Sequence, residues 1–257
     1  MESGGGTIPR LGTAGMKSRA VRLVTSIAFT FAIAGALYWW LQQDRHTYLT
    51  GVTAGFVAIF AAPTGRDSPA TRVELDELLE LQKNRSAAEV AAARADRKTE
   101  IQRFYGALGF PAGAEPDLPQ LRALASDVED DTRPYVRAAK EKFRRLRPYE
   151  IESRLEPCIT NVRGDLSYPS GHANYGYVMA YLLRDMVPER ETQLIARADE
   201  FARQRMVCGV HFGTDIEAGR QGAAWLAKEF LASEAYRTAA ESAGTELRAA
   251  LKLPERT

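Results

Sequence analysis

Apolar residues recur along most of this chain at i, i+3 and i+4, the spacing of amphipathic helices. Between Thr71 and Gly109, Val73, Leu75, Leu78, Leu79 and Leu81 give one apolar face, and the run Ala87–Ala95 is rich in the strongest helix former. Gly109 and Pro111 stop that segment. Residues 118–147 read as one or two helices, with Pro134 as the break point. Tyr175, Val178, Met179, Leu182, Leu183 and Met186 mark another helix, which ends at Pro188. The next starts at Glu189 and puts Leu194, Ile195, Ala198 and Phe201 on one face; residues 219–253 are helical by the same criterion. No segment sustains the period-two alternation of a half-buried strand. The fold expected is an all-α, single-domain helical bundle without internal repeats.

Two apolar stretches stand apart. Residues 23–41, LVTSIAFTFAIAGALYWWL, carry no charge and follow Arg10, Lys17, Arg19 and Arg22, the layout of an export signal. Ala34-Gly35-Ala36 supplies a small-x-small cleavage pattern, which gives a signal peptide at 1–36 and a helical domain at 37–257. The competing reading is an uncleaved anchor reaching about residue 41, because these apolar residues approach the roughly 20 that span a bilayer. Both place the remainder outside the cytoplasm, periplasmic or secreted, with membrane contact only if the segment is retained. Residues 51–63 are too short to span and are expected to pack as an extended segment against the body.

Composition adds limits. In 257 residues, 45% hydrophobic and 26% charged content suit an ordinary globular core. The net charge of +1 argues against a broad basic surface for nucleic acid, while leaving room for a small anion site built from a few local cations. The two cysteines, Cys158 and Cys208, are expected to pair in an oxidising compartment; two buried free thiols are the alternative.

Three clusters carry candidate chemistry. In Lys140-Glu-Lys-Phe-Arg-Arg-Leu-Arg147-Pro148, seven residues are close to two helical turns, so Lys140 and Arg147 are expected on one side with Phe143 between them, and Pro148 ends the helix at Arg147. A point charge and a planar fork suit a tetrahedral anion, although basic residues at a helix end are also common for dipole reasons alone. In Tyr168-Pro169-Ser170-Gly171-His172, Ser170 is placed to cap a helix, Gly171 allows close backbone approach to a ligand, and free N–H groups face an anion. His172, in the first turn, is placed to protonate a leaving group; the bland alternative is a capping turn that happens to hold a histidine. In the third cluster Arg205 continues the stripe of Leu194, Ala198 and Phe201, and a buried guanidinium requires an anionic partner. Asp215 lies four positions after His211, which fits a carboxylate that orients one ring nitrogen and leaves the other as a nucleophile.

Taken in order, K-x6-R-P, P-S-G-H and R-x5-H-x3-D resemble the signature of the type 2 phosphatidic acid phosphatase superfamily, shared with vanadium haloperoxidases. The flanks, including Pro157-Cys158 and Ala218-Gly219-Arg220, resemble the bacterial class A non-specific acid phosphatases. The likeness covers residues 140–220 well and 48–124 more weakly. Gln204, Ala173, Tyr149 and Phe212 depart from the usual Ser, Thr, Phe and Trp. The resemblance implies a metal-independent acid phosphatase acting on small phosphate monoesters through a phosphohistidine. Lys140, Arg147, Ser170, Gly171 and Arg205 would hold the phosphoryl group, His211 would attack, Asp215 would orient it, and His172 would act as general acid and base. No cofactor is implied, and the chain has no carboxylate-rich ligand cluster near the motifs. A homo-oligomer is compatible with this reading. The alternatives are a vanadium-dependent haloperoxidase, whose vanadate occupies a pocket of the same residues, and a non-catalytic phosphate-binding relative. A membrane lipid phosphatase would need several spanning helices, and this chain offers one at most.

Overall fold

The computed structural model describes Met1 and residues 47–51, 53–159 and 166–255. The expected export segment lies outside the described residues. Every described helix belongs to the unit Asp44–Thr257. These helices are α1 (Thr53–Ala58), α2 (Pro69–Asn84), α3 (Ala87–Ala95), α4 (Tyr105–Leu108), α5 (Pro119–Phe143), α6 (Pro148–Ile151), α7 (Gly171–Met186), α8 (Glu191–Val207), α9 (Gly213–Ala232) and α10 (Glu234–Ala250). Single 3₁₀ turns precede α4 and α8, and there is no strand among the described residues. The protein is all-α, as the apolar spacing predicts.

Local chemistry sets the boundaries, and several differ from expectation. The segment from Thr71 to Gly109 is not one helix. At Ser86, a capping box ends one helix and starts the next: the Ser86 hydroxyl accepts from Glu89 N (3.2 Å) and the Glu89 carboxylate accepts from Ser86 N (2.9 Å). Leu75 and Leu78 are buried, but Val73 is 68% exposed and does not belong to the apolar face. Gly109 ends α4 in the left-handed region, φ 103°, where a side chain would be strained. Residues 51–63 are not extended, because a short helix, Thr53–Ala58, lets Phe56 pack fully buried against Tyr135 and Trp225. Pro134 does not break α5: it is buried inside a helix whose Asp131 carboxylate accepts the N–H groups of Thr47, Tyr48 and Leu49 at 2.6–2.9 Å. Residues 219–253 fall into two helices, parted at Ser233, whose hydroxyl caps the second.

Helix α7 lies at the centre, packed between α8 and α9, with α5 also against it. Two glycines make the α7–α9 approach possible. A Cβ on Gly219 would come within 2.7 Å of the Ser170 carbonyl and 2.8 Å of Ala173 Cβ, and one on Gly222 within 3.0 Å of Asn174 Nδ2. Backbone contact at that level carries the start of α9 to the start of α7, so Ser170 N donates to the Asp215 carbonyl at 2.9 Å. Two of the three sequence clusters meet there.

Cys158 and Cys208 are disulfide-bonded, which settles the choice against free thiols. The bridge pins the loop before residue 160 to the C-cap of α8, between Arg205 and His211, beneath Ala93 of α3. Closing a loop of sequence separation 50 contributes about 4 kcal/mol in the chain-entropy treatment. Reduction is therefore expected to lower the free energy of unfolding in urea by about that amount; an unchanged midpoint after complete reduction would show that the bridge contributes nothing.

Candidate active site

The first cluster converges on the site by a route other than the one expected. Helix α5 ends at Phe143, not at Arg147, because Arg144 adopts a left-handed conformation, φ 49°. Lys140 sits in the last helical turn, whereas Arg147 lies in extended backbone beyond it and caps α6. Their shared direction comes from that bend, not from two turns of one helix. The Lys140 ammonium donates to the Leu166 carbonyl. Arg147, 3% exposed, donates through Nη1 to the Val210 carbonyl and to His211 Nε2, both at 2.8 Å.

The geometry assigns the His211 tautomer. Nδ1 lies 3.2 Å from Asp215 Oδ2, and a carboxylate only accepts, so Nδ1 carries the proton. Nε2 faces a guanidinium, which only donates, so its lone pair is free of hydrogen and points at the cations. Asp215 is wholly buried and takes further hydrogen bonds from Ser167 Oγ (2.5 Å), Phe212 N (2.9 Å) and Arg145 Nη1 (2.7 Å). Burial, then Arg147 and Lys140, hold the His211 pKa well below its ordinary value, so the ring is neutral.

Ser170 caps α7, its hydroxyl accepting from Ala173 N at 3.3 Å. Gly171 opens the helix; a Cβ there would meet only Val136, at an ordinary 3.7 Å, so close packing does not demand glycine at this position. His172 stands in the first turn, its ring stacked near Phe201. Its Nε2 lies 2.8 Å from the Arg97 carbonyl and therefore carries the proton. Burial, followed by Arg205, depresses its pKa from 6.5 to about 4, with the Arg97 hydrogen bond opposing. The unfolded chain then binds a proton that the folded one refuses, so this histidine costs stability as pH falls from 6.5 to about 4.

Arg205 is 1% exposed and gives one hydrogen bond, from Nη2 to the Ala93 carbonyl at 2.7 Å; Nε and Nη1 are buried without a partner. The nearby carboxylate of Asp96 is committed to Arg103 and Arg197. Burial lowers the Arg205 pKa to about 10. A buried cation with two open donors, beside Arg147 and two neutral histidines, has the donors and the charge to take an anion. Among the described residues, no three His, Cys, Asp or Glu side chains are grouped as metal ligands.

Residues 132–237 match the PAP2 superfamily. The chain is 33% identical over 147 residues to a non-specific acid phosphatase of Providencia stuartii, covering 54% of this chain and 58% of that protein. It is 29% identical over 165 residues to one of Salmonella typhimurium, covering 62% and 66% respectively. The chain thus spans less than two thirds of either relative. A bacterial vanadium-dependent iodoperoxidase has the same fold at a TM-score of 0.50 and 19% identity, over 66% of this chain and 50% of that one.

The structure brings the sequence-singled residues together, and it adds some that the sequence did not mark. Arg145 bonds Asp215, and Glu74 of α2 bonds both Arg145 (2.6 Å) and Thr214 (2.7 and 2.9 Å). The α3 end supplies the carbonyls of Ala93 and Arg97 to Arg205 and His172. The only signal for Arg145 was its place in a run of basic residues, and backbone carbonyls give none.

Two outcomes are expected. Arg205→Met should leave the unliganded protein as stable as wild type or more so, since it removes an underbonded buried cation, while weakening phosphate binding by roughly 10- to 100-fold. Calorimetry of both properties checks this, and a destabilised variant with unchanged phosphate affinity would contradict it. Sulfate, which stays a dianion across this range, should bind with proton uptake between roughly pH 5 and 6.5, because an anion raises the depressed His172 pKa. Titration in buffers of different ionisation enthalpy measures it; binding with no proton uptake would contradict it.

Proposed function

We propose that this chain is an exported, metal-independent acid phosphatase that hydrolyses small phosphate monoesters through a phosphohistidine on His211. The observation that carries the reading is the pairing of an oriented nucleophile with an anion site. His211 has its Nε2 lone pair exposed to the cations and its Nδ1–H on Asp215, and Arg205 has two buried donors without partners. Simple anion binding needs the cations but not an imidazole oriented by a carboxylate. The names of the acid phosphatase relatives support the same class.

On this reading Arg147, Lys140, Arg205, Ser170 and the Gly171 N–H take the phosphoryl oxygens and stabilise charge as it develops. Arg147 gives up its hydrogen bond to Nε2 when phosphate arrives, which frees the lone pair for in-line attack on phosphorus. The P–O bond to the alcohol breaks, and His172, its proton affinity raised by the bound anion, protonates the leaving oxygen. It then takes a proton from the water that attacks phosphorus and breaks the N–P bond, and inorganic phosphate leaves. The guanidinium and ammonium groups do the charge neutralisation, so excess EDTA is expected to leave activity intact.

The discriminating experiment compares alkyl and aryl phosphates in single turnover. His211→Ala should abolish turnover of both. His172→Ala should slow the phosphorylation step on alkyl esters by roughly 10²–10⁴-fold and on p-nitrophenyl phosphate by less, because a phenolate departs without help. Equal losses for the two ester classes, or activity removed by EDTA and restored by a divalent metal, would overturn the mechanism. Peroxide-dependent halide oxidation in vanadate, without phosphatase turnover, would favour the haloperoxidase alternative.

A further inference from the structure

The motif residues do not account for Arg145, which stands beside them. Arg145 is almost fully buried, and its guanidinium lies 3.8 Å above the Phe212 ring. Nη1 donates to Asp215 Oδ1 and to Thr214 Oγ1, both at 2.7 Å, while Nη2 donates to Glu74 Oε2 at 2.6 Å. The other Glu74 oxygen accepts from Thr214 N at 2.9 Å and from Thr214 Oγ1 at 2.7 Å, in the first turn of α9. Glu74 belongs to α2, outside residues 132–237. A line of alternating charge thus runs from α2 through Arg145 and Asp215 to His211.

We propose that Glu74 and Arg145 are positioning residues that set the proton affinity of the His211–Asp215 pair. The charged and titratable groups facing His211 are Lys140 from α5, Arg147 before α6, His172 from α7, Arg205 from α8 and Asp215 from α9. Four of these disfavour a protonated ring, and the Asp215 carboxylate, 3.2 Å from Nδ1, favours it by charge. An unshared Asp215 charge would pull a proton onto the pair at mildly acid pH and occupy the lone pair needed for attack. Arg145 shares that charge, and Glu74 returns part of it, so Asp215, Arg145 and Glu74 together carry one negative charge. That balance holds the Nδ1 proton and supports the positive charge that forms on the ring during attack. It leaves Nε2 unprotonated. The coupling itself needs only these contacts; its catalytic consequence rests on His211 being the nucleophile.

Charge-balanced variants test it. Arg145→Met leaves two negative charges and should raise the pH at which the pair takes up its proton by on the order of one unit. Glu74→Gln leaves none and should lower it by a similar amount; the double variant should return close to wild type. Arg145→Lys keeps the charge and should stay near wild type. The readouts are the ring ¹⁵N shifts of His211 against pH in the unliganded protein and the acidic limb of kcat/KM with p-nitrophenyl phosphate. A merely structural pair would lower stability and rate without shifts of opposite sign. Shifts of the same sign, no shift, or a double variant displaced further than either single one would overturn the proposal. If Arg145→Met fails to fold, an unmoved titration in Glu74→Gln overturns it alone. Should no phosphoenzyme form in the wild type while the opposite shifts persist, the coupling stands and the nucleophile assignment falls.

Discussion

The carboxylate of Asp215 is the contact on which the site depends. Side chains and backbone from three stretches of chain converge on it: Arg145 after α5, Ser167 before α7, and Phe212 and His211 leading into α9. Its backbone carbonyl receives Ser170 N, so the same residue also fixes the cap of α7. A buried carboxylate that already accepts from Arg145, Ser167 and Phe212 leaves the His211 ring one hydrogen-bonding arrangement, Nδ1–H donating to it. The close approach of α9 to α7 that Gly219 permits is what lets one aspartate serve both helices. Fold and chemistry are joined at this contact, since the packing of small residues decides where the carboxylate stands.

The rest of the site is arranged at a cost to the unliganded protein. Two histidines are held below their ordinary proton affinity, and Arg205 keeps two donors without partners in the interior. Lys140 and Arg147 use backbone carbonyls of Leu166 and Val210 as partners. A tetrahedral dianion would relieve these costs together, which is the electrostatic basis of preorganised transition-state stabilisation. The disulfide, the α3 cap and the packing beneath them supply the stability that such a site consumes.

Much of this was legible in the sequence, for identifiable reasons. The helical periodicity of Tyr175–Met186 and of the Leu194, Ala198, Phe201 stripe survives because those helices pack centrally, where burial enforces pattern. The buried Arg205 followed from its place on that stripe, and the His211–Asp215 pair from its four-residue spacing. Other features were not legible. Periodicity cannot register a left-handed residue such as Arg144, so the end of α5 and the true relation of Lys140 to Arg147 were missed. The capping box at Ser86 was written in the sequence as Ser-x-x-Glu, but the continuous apolar pattern around it concealed the break. Glu74 and Arg145 meet only through tertiary packing, 71 residues apart, and a single sequence carries no trace of that meeting.

The central claim is that Asp215 directs a specific ring nitrogen of His211 at phosphorus. The most direct test is to quench the wild-type enzyme in alkali during turnover of p-nitrophenyl phosphate, isolate the labelled peptide and locate the phosphoryl group by mass spectrometry and ³¹P NMR. The proposed mechanism predicts a single phosphohistidine at position 211, bonded through Nε2, since Nδ1 is occupied by its hydrogen bond to Asp215. Phosphate on Nδ1 of His211, or on His172, would contradict the account.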